Sequence, residues 1–197
     1  MRLHILPLSC TLFIAMLIFS GCGLKNDIIT INYTPYPSAQ MVNGADAVGV
    51  RVSVADKRKI KENVGKKGDE YSALGAIIAQ NDIADTVAKA LESELERRGF
   101  KLAKGAVEVY LEIIKFYNVF KGFNEKAIAE LIMNVQVKDA NGGIVYTDTV
   151  IGEGIKSGIM MRTGDNAKVA LEAALKHAVS QLVTDKKFIS ALFKAAQ

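Results

Sequence analysis

Cysteine and histidine are nearly absent: the sequence holds two of each in 197 residues. Cys10 and Cys22 both stand close to the N-terminus, so the rest of the chain offers no partner for an internal disulfide. His4 lies in the same region, which leaves His177 alone in the body of the chain. One imidazole and no nearby thiol are too few soft ligands for a tetrahedral zinc site. A nucleophile–histidine–acid triad would have to run through His177, and no Gly-x-Ser-x-Gly elbow accompanies it. On a helical wheel His177 falls off the apolar stripe and reads as a solvated side chain. Glu108, Glu112 and Glu130 stand on the polar faces of predicted strands, where charge is ordinary and no acid/base pair is implied. Gly142-Gly143 and Gly152-Glu153-Gly154 are too short to cradle a phosphate, and neither has the strand–loop–helix setting such loops use. An excess of one charge sign is missing too. The 25 basic residues face 21 acidic ones, a net charge of +4, too mild to argue for nucleic acid. The expectation is a protein that is not an enzyme and has no metal or cofactor.

A membrane-spanning run is also lacking. Ile5 to Phe19 is almost wholly apolar, yet shorter than the roughly 20 residues a helix needs to cross a bilayer. With Arg2 before it and small residues after it, the segment reads as the hydrophobic part of a secretion leader. Phe19-Ser20-Gly21-Cys22 resembles the lipobox of bacterial lipoproteins, with Phe19 where leucine is usual. The resemblance implies cleavage before Cys22, a diacylglycerol on its sulfur, and acylation of the new amino group. Gly23 occupies the position where aspartate signals inner-membrane retention, so by analogy the destination is the outer membrane. Several acyl chains hold such an anchor firmly, because each buried CH₂ contributes about 0.8 kcal/mol and one chain alone is marginal.

Proline is confined to Pro7, Pro35 and Pro37. The last two suggest an extended spacer, so the chain divides into a leader over 1–21, a lipidated N-terminus and tether over 22–46, and a single periplasmic domain over 47–197. Within the tether, Ile28 to Tyr33 has β-branched character suited to one short strand. Val48, Val50, Val52 and Val54 alternate with polar or small residues and predict a strand with one buried face. A helix is expected over Asp82 to Arg98, with Ile83, Val87, Leu91 and Leu95 on one stripe, Ala84 and Ala88 beside it, and Asn81 or Asp82 as cap. Strands follow over Val107 to Ile113, Ala129 to Val137 and Ile144 to Ile151, the last two joined by a turn at Ala140–Gly143. A long helix from about Asp165 to Thr184 carries the stripe Leu171, Ala174, Leu175, Ala178 and Leu182. The apolar tail Phe188 to Phe193 adds a final helical turn or two. This order predicts an α+β two-layer sandwich: a largely antiparallel sheet with two amphipathic helices packed on one face.

Two segments stand out as candidate partner contacts. The basic loop with Lys57, Arg58, Lys59 and Lys61 either meets anionic headgroups or an acidic partner, or is simply solvated. Met160 and Met161, between the last strand and the long helix, either serve a partner surface or pack beneath the sheet edge.

Val50-Arg51-Val52-Ser53-Val54 leading to Asp56-Lys57-Arg58, and the helix ending Leu95-Glu96-Arg97-Arg98-Gly99-Phe100, together with the lipobox at Cys22, resemble the YajG family of uncharacterised bacterial lipoproteins. The resemblance implies an envelope location and brings no catalytic residue with it. The chain is accordingly expected to be a non-catalytic interaction or scaffold module, held to the membrane through lipid on Cys22 and meeting an envelope protein partner. The alternative is an accessory lipoprotein subunit of an envelope transport or secretion complex.

Overall fold

The computed structural model describes residues 25–37, 40–68, 74–103, 107–121 and 126–197. The leader and Cys22 lie outside the described residues.

Three long strands form the centre: β6 (Val107–Lys121), β7 (Lys126–Lys138) and β8 (Ile144–Lys156). Their alternation puts Val109, Val137, Leu111 and Val135 on one face and Tyr110, Gln136, Glu112 and Asn134 on the other. The antiparallel register pairs Val109 with Val137 and Leu111 with Val135, so the apolar sets coincide. At the β7–β8 turn, the Asp139 carboxylate accepts the amides of Asn141 and Gly143. Gly142 provides the positive φ of 84° that this turn requires.

The remaining strands are short. β1 (Asp27–Ile29), β2 (Gly49–Asp56), β3 (Gly65–Lys66), β4 (Ala76–Ala79) and β5 (Lys101–Leu102) complete one sheet with the meander. Strand β2 runs parallel to β6, Val50 beside Val107 and Val54 beside Leu111. A parallel neighbour needs a crossover, and helix α1 (Ile83–Arg97) supplies it. The sheet is therefore mixed but largely antiparallel, as the sequence pattern predicts.

Helix α1 starts on Asp82, whose carboxylate accepts the Asp85 amide, and stops before Gly99 at a φ of 97°. Its stripe Ile83, Val87, Leu91 and Leu95 is buried as expected. Beside it lie Thr86, Ala90 and Glu94, however, and not Ala84 or Ala88. Helix α2 (Gly164–Thr184) lays Ala167, Ala170, Ala174 and Ala178 on β8 and β7. The tail is more than a turn or two. Helix α3 (Lys186–Ala195) starts on Asp185, and its buried Phe188 meets Tyr146 edge-on at 5.9 Å.

Helix α2 approaches β8 so closely that side chains are excluded between them. A Cβ on Gly152 would stand 2.2 Å from the Ala174 carbonyl oxygen, and one on Gly154 2.0 Å from that of Ala170. The glycine pair that is too short to bind phosphate is thus a seat for a helix.

The tether expected over residues 22–46 is corrected from Asp27 onwards. Strand β1 pairs in parallel with β4, Asp27 beside Ile77 and Ile29 beside Ala79. Ile29 and Ile31 are core residues. The Asn81 side chain holds Ile31 at both backbone groups, accepting from its N–H at 3.0 Å and donating to its carbonyl at 2.9 Å. The Tyr33 hydroxyl donates to the buried Glu94 carboxylate at 2.8 Å, and the Asn32 amide donates to Glu172 at 2.8 Å. Burial and the neighbouring Glu94 together push the Tyr33 phenol well above its ordinary pKa. Lys176 lies over the Tyr36 ring at 4.0 Å. Residues 27–36 form a strap over α1 and α2, and Ala45 is buried in the same core. The two prolines mark the end of the strap, not the middle of a spacer.

Candidate functional site

Strand β6 does not keep its alternation. Ile113 pairs with Met133 and Lys115 with Ile132, so Ile114 is an extra residue, a β-bulge. Before the bulge the odd-numbered residues Val107, Val109, Leu111 and Ile113 face the helices. After it Phe116 and Asn118 do. Ile114 is left exposed at the kink.

The segment that follows β2 curls beside this kink. Asp56 ends the strand, and its carboxylate accepts from the Arg58 backbone N–H at 3.0 Å, from Nε at 3.0 Å and from Nη2 at 2.8 Å. Burial works to raise the Asp56 carboxyl, but hydrogen bonds and charge from Arg58 outweigh it and hold its pKa below the ordinary value. Arg58 is only 7% exposed, and its Nη1 is buried with no hydrogen-bond partner. An orphaned guanidinium N–H costs free energy on the order of 1–3 kcal/mol, more where charge is involved.

Lys57, Arg58, Lys59, Ile60, Ile114, Lys115, Phe116, Tyr117 and Ile132 enclose an open groove of about 420 Å³. That is within the range of roughly 300–1,000 Å³ of small-ligand pockets. Ile60, Ile114 and Ile132 present its apolar part, with Ile60 and Ile114 exposed. Lys57 and Lys59 form an exposed cationic rim, and Lys115 is bound to Glu130 across the β6–β7 pair. Tyr117 has its hydroxyl pKa raised by burial. Chemically the groove suits a ligand with an apolar body and a negative group.

The expected contact residues are therefore only partly brought together. Lys57 and Lys59 stand at the groove as exposed cations, and Lys61 is exposed on the same loop. Arg58 is corrected: it is turned inward, and its free donor is the buried Nη1. Met160 and Met161 lie elsewhere, in the loop after β8, and are not packed beneath the sheet edge; Ile159 is the buried residue there. His177 is exposed, as its place on the helix predicts. Its Nδ1 accepts the Glu153 N–H of β8 at 3.1 Å, a structural bond to a sheet edge. Ile60, Ile114 and Ile132 were not singled out by sequence reasoning, because the bulge that exposes Ile114 carries no glycine or proline to mark it.

The Asp56–Arg58 pair has a pH signature. A depressed carboxyl contributes stability above its unfolded pKa of about 3.9 and loses it as pH falls through the folded value. Asp56→Asn should therefore lower stability by a constant amount at pH 6–8, and the gap to the parent should close below about pH 4. Urea unfolding of both proteins between pH 8 and 3 checks this. A gap independent of pH would show that the carboxylate charge has no part.

Among the described residues, no group of three or more His, Cys, Asp or Glu could hold a metal ion, and no helix is long and apolar enough to cross a membrane.

Residues 35–192 match the family described as uncharacterised lipoprotein. The chain belongs to that family. Membership in a lipoprotein family associates this chain with a membrane. Its matched region contains the groove, both long helices and the central meander, and leaves out β1. Among curated proteins none matches this lipoprotein in sequence. Similar solved structures include a neuraminyllactose-binding hemagglutinin homolog from Helicobacter pylori, with 10% identity and a TM-score of 0.47 over 84% of this chain and 97% of the other. A minor lipoprotein from Acinetobacter baumannii shows 9% identity and a TM-score of 0.41, over 68% and 88% of the two chains. Lipoprotein GNA1162 from Neisseria meningitidis shows 8% identity and a TM-score of 0.38, over 70% and 99%.

Proposed function

We propose that this lipoprotein is anchored through Cys22 to the periplasmic face of the outer membrane and acts there as a non-catalytic interaction module. Its groove beside the β6 bulge receives an envelope protein segment that carries an acidic group on an apolar body. The observation that carries this reading is the union, in one groove, of exposed isoleucines and a lysine rim. Family membership supports the anchor, and the shortage of nucleophile–base pairs in the sequence supports binding over catalysis. A partner carboxylate would meet the exposed ammonium groups of Lys57 and Lys59 in charge-assisted hydrogen bonds, while the inward Arg58 holds the loop that carries them.

The test is photo-crosslinking in cells from a reactive side chain placed at Ile60, followed by capture of the lipidated protein in mild detergent. A discrete crosslinked envelope protein is expected, with the product lost when Lys57 and Lys59 are changed to glutamate. Cys22→Ser should lose the lipid and either keep its leader uncut or become soluble, with the purified domain still folded. A crosslinking pattern identical with and without the lysines would overturn the groove, and unchanged processing together with membrane retention of Cys22→Ser would overturn the anchor.

A further inference from the structure

The register places an unexpected set of side chains at one end of the sheet. Lys121 pairs with Lys126, and Lys156 stands beside Ala127, so three lysines mark the place where β6 ends, β7 begins and β8 ends. The loop that leaves this end after Lys156 carries Met160, 96% exposed, and Met161, 69% exposed. Ile155, the next-to-last residue of β8, is 57% exposed.

The N-terminus emerges at the same end. Strand β3 runs parallel to β6 with Gly65 beside Asn118, β4 sets Ile77 opposite Gly65, and β1 sets Asp27 beside Ile77. Asp27 is therefore level with the last residues of β6, and Lys25 and Asn26 continue past it towards the three lysines. Strand β1 also presents Ile28, 69% exposed. The methionine loop is tied to β1 directly: Asp27 Oδ2 accepts the Gly164 amide at 2.7 Å, while Oδ1 holds Lys67 at 2.7 Å. Asp27 is thus engaged and does not cancel the lysines.

Only Gly23 and Leu24 separate Cys22 from Lys25 in the sequence, a span of at most about 11 Å even when fully extended. A chain that short keeps this end of the domain beside whatever holds Cys22. We infer that the Lys121–Lys126–Lys156 end, with Met160, Met161 and Ile28, is a second membrane contact that docks on anionic phospholipid headgroups. This rests on the anchor of the proposed function and adds an orientation to it. Each lysine near an anionic surface favours docking about fivefold. Unbranched, polarizable methionines suit the irregular boundary between headgroups and acyl chains. The groove then lies on the sheet roughly four to seven strand residues from the surface, about 13–23 Å away.

The sequence contains no tryptophan, so single reporters are unambiguous. Met160→Trp would report on the docking end, and Asn141→Trp on the turn at the opposite end of the sheet. The lipidated chain is reconstituted in phosphatidylglycerol–phosphatidylethanolamine vesicles whose acyl chains carry bromine. The indole of the Met160→Trp protein should be blue-shifted and quenched, and that of the Asn141→Trp protein neither. Changing Lys121, Lys126 and Lys156 to glutamate in the Met160→Trp background should lower the ratio of docked to undocked protein by about fivefold or more per residue changed. In phosphatidylcholine vesicles the same change should have little effect. Equal fluorescence from both reporters, with the protein still floating with the vesicles, would overturn the docking and leave the anchor standing. So would a Met160→Trp reporter shielded from acrylamide but not reached by bromine, since a protein would then cover this end. Protein that fails to float would overturn the anchor and the docking together.

Discussion

Gly154→Val should be among the most damaging single substitutions in this domain. The cost follows from what the new Cβ meets: the Ala170 carbonyl oxygen at 2.0 Å and the Ala174 nitrogen at 2.5 Å, both backbone atoms of α2. Side chains can rotate away from a clash, but a helix backbone moves only as a body. Lifting α2 would open the contacts of Ala167, Ala170, Leu171, Ala174 and Ala178, all buried. Overpacking a core costs typically 1–3 kcal/mol, and a clash with helix backbone belongs at about 3 kcal/mol or above. Against a total stability of roughly 5–15 kcal/mol, that is a large fraction. Gly142→Ala is the informative control. Its Cβ would meet nothing within 4 Å, and only the φ of 84° opposes it, a cost of about 1–2 kcal/mol. Urea midpoints of the two variants measure the difference. A rescue attempt is equally informative. Removing the Ala170 methyl in a Gly154→Val, Ala170→Gly double variant should restore nothing, because the obstacle is the carbonyl oxygen. Midpoints for Gly154→Val within about 0.5 kcal/mol of the parent would mean that α2 does not lie on β8 as described.

That seat also shows which parts of the fold can be read from the chain. Strict alternation in Val107–Ile113 and Ala129–Val137 is a local signal, and each residue reports its own face. The four-residue spacing of Leu171, Leu175 and Leu182 with Ala174 and Ala178 does the same for α2, and the buried positions agree with it. Three features escaped for a common reason: each depends on a distant residue. The Ile114 bulge reverses the parity of β6, so Phe116 and Asn118 look out of phase when the strand is read straight through. Glu94 falls on the buried flank of α1 and is satisfied there by Tyr33, 61 residues earlier in the chain. The small residues of β8 carry no intrinsic preference that reveals a helix above them. The candidate site was legible as a basic loop, and Lys57 and Lys59 remain at its rim. Its apolar half was not, because exposing Ile114 takes the bulge and enclosing it takes the fold of the loop. Arg58 was legible as a charge, but its inward turn depends on Asp56 two residues away.

The strap over residues 27–36 carries the second large effect. Had this segment been a tether, Ile31→Ala would be a surface change worth no more than about 0.5 kcal/mol either way. Ile31 is 2% exposed, and loss of a buried isoleucine to alanine costs about 2–5 kcal/mol. The upper part of that range is expected here, because the neighbouring backbone is pinned by Asn81 on both sides and cannot close the cavity. Asn81 also donates to the Thr86 hydroxyl at 2.6 Å, so the pin is itself held by α1. Denaturant unfolding of residues 23–197 with and without Ile31→Ala tests this, with Ile28→Ala on the exposed face of the same strand as the reference. A large loss at Ile31 beside a negligible one at Ile28 would establish the strap as part of the domain. The consequence bears on the proposed anchor. With Cys22 lipidated as proposed, a fold that begins at Asp27 leaves only four residues between the lipid and the first strand, and the lysine end has to stay near the lipid. Equal and small effects at both isoleucines would release the N-terminal segment from the core and, with it, the domain from the bilayer surface.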